Sequence, residues 1–219
     1  MNISSFPAAV LWDMDGTLID SEPYWLASES AFAEAHDSNW GHDDGLGVIG
    51  MSLYESSKLL KERVGSSLEP QQIIDQITDG VLSQLERSIP WRPGARELLK
   101  LLKDNYVKTA LVTGSMHRMA QKVAEQIGFE AFDVIIGGDD VLNGKPHPES
   151  YLTAASMLGV DPTHCVALED SLTGITAAEA AGTKAVGIAH IVEIPMAQNR
   201  ILWPTLEGVH MDDLRALFS

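Results

Sequence analysis

The chain has 219 residues, 45% of them hydrophobic, enough to bury the interior of one large domain or of a core carrying an insertion. Fifteen basic residues against 31 acidic ones give a formal net charge of -16, which disfavours nucleic acid and anionic membrane as partners, since both reward basic faces. The same field repels an anionic small molecule at long range, so a site for one must draw on a cation, a lysine and backbone amides.

The first element is a continuous apolar run over residues 8–12, of the kind a strand covered on both faces needs, and it stops at Asp13. Asp13 and Asp15 are two apart, so an extended backbone projects them to the same side, and Gly16 lets the chain turn with no Cβ in the way. The pair reads either as a nucleophile and an acid with room for a metal, or as an acidic strand end followed by a turn. After Ser21, Glu22 and Pro23 supply the acid and the proline of a helical first turn, and Tyr24, Leu26, Ala27, Ala31 and Phe32 recur at helical spacing. Residues 39–50 read as a polar, glycine-rich loop, and helices follow over 53–64 and 70–85. The stretch from Ile89 to Gly94, with prolines at 90 and 93, then breaks the pattern. Residues 21–90 are therefore expected to form an all-helical cap inserted into a core made of residues 1–20 and 91–219.

From Ala95 onward helical and strand-like segments alternate. The spacing predicts a helix over 95–103, a strand over 107–112, and a helix over 115–127 stopped by Gly128. A strand over 132–136, a helix over 147–158, a strand over 165–168, a helix over 171–181 and a strand over 185–188 complete the series. Such alternation implies an α/β, Rossmann-like parallel sheet with helices on both faces, which binds ligands beyond the carboxyl ends of its strands. The tail beyond His190 is less patterned; a closing helix over 211–218 is expected. The single cysteine, Cys165, lies in an apolar run with no partner, so it reads as core packing in a reducing compartment. No run approaches the ~18 apolar residues of a membrane span, and no basic segment leads into an apolar stretch at the amino terminus, so the expectation is cytoplasmic.

Three further strand ends carry candidate chemistry. Thr113-Gly114-Ser115 offers a hydroxyl and free amides just before a helix, where a phosphate can be held, although Ser115 also reads simply as a helix cap. In Asn143-Gly144-Lys145-Pro146-His147-Pro148 two prolines stiffen the loop from which Lys145 extends. Leu168-Glu169-Asp170-Ser171 repeats the pattern of an apolar run breaking into acids before a helix, a favourable dipole arrangement in its own right.

Taken together, Asp-x-Asp-Gly-Thr-Leu-x-Asp-Ser over residues 13–21, Thr113, Gly-Lys-Pro-x-Pro over residues 144–148 and Glu169-Asp170 resemble, in order, the four motifs of the haloacid dehalogenase superfamily. The likeness is to its phosphatase branch with a helical cap, because the dehalogenases lack the second aspartate. The resemblance implies a Mg²⁺-dependent phosphatase acting on a small phosphorylated metabolite, a sugar phosphate above all, with no nucleic acid or membrane partner and as a monomer. It makes Asp13 the nucleophile, Asp15 the acid and base, and Lys145 the neutralising cation. Thr113, the Gly114 amide and Lys145 hold the phosphate. Asp13, the main-chain carbonyl of Asp15 and Asp170 bind the metal, with Glu169 in direct or supporting contact. A β-phosphoglucomutase shares fold and motifs and is the alternative activity; a non-catalytic phosphometabolite sensor is a more distant one, since binding alone does not require a nucleophile and an acid.

Gly45-x-Gly47-x-x-Gly50 matches a dinucleotide fingerprint literally, but His42-Asp43-Asp44 precedes it where a strand is required. The stretch is read instead as a cap loop, and because such a loop in this family helps choose the substrate, residues 45–52 are a candidate for specificity. Metal binding by His42-Asp43-Asp44 is weighed against a solvated turn, and sugar stacking by Tyr24, Trp25 and Trp40 against helix packing.

Overall fold

A computed structural model describes residues 7–197 and 200–219; the first six residues of the expected core segment, and Gln198 and Asn199 in the tail, lie outside the described residues. The chain divides into two compact units, one formed by the stretch up to Asp20 together with Trp91–Ser219, the other by Ser21–Pro90.

The first unit is built on β1 (Ala9–Trp12), β2 (Lys108–Val112), β3 (Val134–Ile136), β4 (Cys165–Glu169), β5 (Lys184–Ile188) and β6 (Ile201–Trp203). All pairs are parallel, in the order β3-β2-β1-β4-β5-β6, so the first strand of the sequence is central. Burial on both faces explains why β1 and β4 read as unbroken apolar runs instead of alternating. Trp12 lies level with Leu111 on one side and Leu168 on the other, and the Asp13 amide still donates to the Leu168 carbonyl at 3.0 Å. Register thus brings the residues after β1, β2 and β4 out on the same edge. Gly16 then reverses the chain at φ +84°, and a Cβ there would collide with the Asp170 carboxylate.

Helices α5 (Ala95–Asp104), α6 (His117–Glu125), α7 (Glu149–Leu158) and α8 (Leu172–Ala180) alternate with the first five strands, and α9 (Met211–Ala216) follows β6; α1 (Glu22–Glu34), α2 (His42–Leu46), α3 (Leu53–Val64) and α4 (Pro70–Leu85) belong to the other unit. One apolar cluster joins β1, β2, β4, α7 and α8 through Leu11, Val112, Tyr151, Ala167 and Ile175. Cys165 is buried there, its thiol pushed by burial up to about 12, an inert packing residue as expected. No helix of the described residues is long and apolar enough to cross a membrane.

Two expectations are corrected, and one element is new. The short edge strand β6, half-buried and three residues long, carries too few positions for a period and was not foreseen. Helix α6 starts at His117, not at residue 115, because Ser115 is engaged elsewhere. The loop over 39–50 contains a short helix, α2 (His42–Leu46), stabilised where the Asp44 carboxylate accepts the Gly41 amide at 2.9 Å.

The second unit consists of α1 (Glu22–Glu34), α2, α3 (Leu53–Val64) and α4 (Pro70–Leu85), packed around Phe32, Trp40, Leu60, Ile73 and Ile77. Trp40 is one of these core residues, which supports helix packing over an exposed stacking platform. Its indole Nε1 donates to Oε2 of Glu29 at 2.8 Å, and burial pushes the Glu29 carboxyl up to about 7 despite that bond.

Between the ordinary value of 4.5 and about 7, folded Glu29 keeps a proton that the unfolded chain has released. Stability therefore falls as pH rises through that window and levels off above it, by at most about 3 kcal/mol from this one group. Replacing Glu29→Gln, which keeps an acceptor for Trp40, is expected to raise the unfolding temperature at pH 8 and leave it unchanged near pH 4. Melting curves of the two proteins across pH 4–8 test this, and parallel curves would refute it.

Candidate active site

The site assembles at the carboxyl edge of β2, β1 and β4. Lys145 reaches it from the loop before α7, which the Glu149 carboxylate ties down by accepting the Leu142 amide at 2.8 Å, the Asn143 amide at 3.1 Å and Asn143 Nδ2 at 2.8 Å. The side chain is thereby delivered from a fixed base. Its Nζ donates to Oδ1 of Asp13 at 2.6 Å, to Oε1 of Glu169 at 2.5 Å and to the Val112 carbonyl at 3.0 Å. All three ammonium protons are used, one on the end of each of three neighbouring strands.

Asp13 is buried, and its carboxyl is pushed up to about 8: burial is the main cause, the Glu169 and Asp15 charges add to it, and Lys145 opposes. For Lys145 burial works against the charge, but Asp13 and Glu169 outweigh it and hold the ammonium protonated. Glu169 is wholly buried, and its Oε1 also accepts the hydroxyl of Tyr151. The Tyr151 hydroxyl is held far on the protonated side, by burial first and by the Glu169 and Asp13 charges next.

Carboxylate oxygens of Asp13, Glu169 and Asp170 lie within 4.8 Å of one another, the sole group of three metal-ligating side chains so placed among the described residues. His42, Asp43 and Asp44 form no such group. An all-oxygen, anionic set of this kind suits a hard divalent cation such as Mg²⁺ or Ca²⁺ over Zn²⁺. The Asp15 carboxylate is not in the trio. Its Oδ2 accepts the Thr113 hydroxyl at 3.1 Å and the Ser115 hydroxyl at 2.7 Å, while Thr113 Oγ1 accepts the Ser115 amide at 3.0 Å. At Gly114 the space a side chain would enter is open.

The residues to which the family resemblance assigns catalytic, phosphate or metal roles, Asp13, Asp15, Thr113, Gly114, Lys145, Glu169 and Asp170, belong to these strand ends or to the loop that reaches them. Two others were missed. Ser115, read as a helix cap, binds Asp15 instead, and the residue at the cap position, Met116, makes no side-chain cap bond. Tyr151 sits at a core position of α7, where its hydroxyl was the only sign of a polar partner.

The fold is that of one class. A haloacid dehalogenase-like hydrolase family model matches residues 7–182, and the chain belongs to that family. A phosphorylated carbohydrates phosphatase of Thermotoga maritima is 34% identical over 187 residues, covering 83% of this chain and 85% of its own. Hexitol phosphatase B of Escherichia coli K12 is 32% identical over 194 residues, 87% and 86% of the two chains. Among solved structures, CbbY of Rhodobacter sphaeroides in complex with xylulose-(1,5)bisphosphate superposes with a TM-score of 0.80 at 25% identity, covering 92% of this chain and 95% of that one.

A Cβ added at Gly174, in the first turn of α8, would collide with both oxygens of the Glu169 carboxylate. Gly174→Ala is therefore expected to destabilise the fold by about 1–3 kcal/mol, although alanine is the better helix former. Urea unfolding measures it; a variant as stable as the parent would show that Glu169 is not confined.

Proposed function

We propose that the protein is a Mg²⁺-dependent phosphatase that hydrolyses a small phosphorylated metabolite, a sugar or polyol phosphate, through an aspartyl phosphate on Asp13. The observation that carries this reading is the division of labour between the two aspartates. Asp13 is held by an ammonium, as a nucleophile facing a phosphate requires, and Asp15 is held by two hydroxyls, as suits a group that exchanges a proton. The phosphorylated carbohydrates phosphatase and the hexitol phosphatase among its relatives support the substrate class. The net charge of -16 supports a small molecule over nucleic acid or an anionic membrane.

In this mechanism an Asp13 oxygen attacks phosphorus in line, the bond from phosphorus to the ester oxygen breaks, and Asp15 gives its proton to the departing alkoxide. Asp15 then takes a proton from a water that attacks the same phosphorus, and the bond to Asp13 breaks, releasing inorganic phosphate. Lys145, the Thr113 hydroxyl and the Gly114 amide neutralise and orient the phosphoryl oxygens. Asp13, Asp170 and the Asp15 main-chain carbonyl would hold Mg²⁺, with Glu169 beside them. When bound it supplies positive charge to the phosphoryl group and favours the ionised form of Asp13. Phosphate monoester hydrolysis needs up to ~10²¹-fold acceleration, so no one of these groups suffices.

The deciding experiment measures inorganic phosphate released from a panel of hexose, pentose and polyol phosphates with Mg²⁺, identifying the sugar products in the same tubes. Stoichiometric release from a subset is expected; conversion of one hexose phosphate to its isomer without release would establish a mutase instead. Chelation is expected to stop turnover and Mg²⁺ to restore it, and indifference to the chelator would remove the metal site. Asp13→Asn is expected to lose at least ~10⁴-fold in kcat with thermal unfolding little changed. Wild-type turnover in that variant would rule out Asp13 as the nucleophile.

A further inference from the structure

The ring of Tyr151 belongs to the buried apolar cluster that includes Leu11, Val112, Ile136 and Leu158, a role that a phenyl group fills equally well. Its hydroxyl is a different matter, because a buried polar atom is costly unless it is bonded. That hydroxyl donates to Oε1 of Glu169, the same oxygen that receives Lys145. Glu169 is thus gripped from two sides, by two donors on Oε1 and by α8, where Gly174 leaves no space for a Cβ beside either oxygen. The Lys145 ammonium also lies 5.3 Å from the centre of the Tyr151 ring, a contact that depends on the ring alone.

We propose that Tyr151 is a positioning residue of the reaction: its hydroxyl fixes the Glu169 carboxylate, and that carboxylate in turn sets the Lys145 ammonium against Asp13. Without the hydroxyl, Oε1 keeps a single donor, and the balance on the carboxylate shifts to Oε2, which already accepts the Ser171 hydroxyl at 3.4 Å. Lys145 then loses a fixed partner on one side and its aim at Asp13 Oδ1. The consequence for catalysis rests on the phosphatase reading; the consequence for geometry does not.

Tyr151→Phe removes the hydroxyl and keeps both the packing and the ring contact, so the variant is expected to fold. Its crystal structure is expected to show the Glu169 carboxylate turned and the contact from Lys145 to Asp13 lengthened beyond hydrogen-bond range; both groups unmoved would overturn the proposal. On a phosphate ester that the wild type hydrolyses, kcat is expected to fall roughly tenfold with KM changed less than twofold. Tyr151→Phe added to Glu169→Gln is expected to cost nothing beyond Glu169→Gln alone, because the hydroxyl acts through that carboxylate. An unchanged kcat, or a full additional loss in the double variant, would also overturn it. If the wild type releases phosphate from no ester, the phosphatase reading falls, and the crystal structure alone decides whether Tyr151 fixes Glu169 and Lys145.

Discussion

A single ammonium group ties the site together. Lys145 Nζ spends its three protons on the Val112 carbonyl at the end of β2, on Asp13 beyond β1 and on Glu169 at the end of β4. Buried acids on adjacent parallel strands repel one another, and what makes their proximity tolerable is a cation placed among them. The loop that carries Lys145 must therefore be stiff, and prolines at 146 and 148 together with the Glu149 carboxylate make it so.

One ammonium against Asp13, Asp15, Glu169 and Asp170 still leaves the strand ends anionic. The protein as a whole, at -16, offers no compensating field. Affinity for a phosphate ester must consequently be generated within a few ångströms, by local donors and any cation that the acids hold, and long-range attraction contributes nothing to it. Such a site discriminates by what its fixed donors touch, since charge alone works against every anionic ligand.

Much of this was legible in the sequence, for a physical reason: a strand buried on both faces must be apolar, so the acid that ends it stands out. Asp13 after Trp12 and Glu169 after Leu168 are conspicuous in that way, and the two prolines beside Lys145 mark a loop that is held. Ser115 and Tyr151 were not legible. A serine at the expected start of a helix reads as its cap, and only the lateral register of β1 and β2 reveals Asp15 within reach of its hydroxyl. A tyrosine on the apolar face of a helix is indistinguishable in pattern from a phenylalanine, and its polar partner lies 18 residues away. The edge strand β6 was obscure for another reason: with three half-buried residues it has no period to read.

Ile19 and Trp91 pair as an isolated antiparallel bridge, and the Arg92 amide donates to the Leu18 carbonyl at 3.0 Å. The chain thus departs toward the helical unit and comes back at the same spot on the sheet's own framework. Closing a loop costs free energy only as the logarithm of its length, about 0.6 kcal/mol for each doubling. Seen from the strands, the whole of Ser21–Pro90 is one long excursion with stapled ends. A longer, shorter or differently folded excursion spliced there presents the sheet with the same boundary condition, so the strand register is insensitive to what the excursion contains.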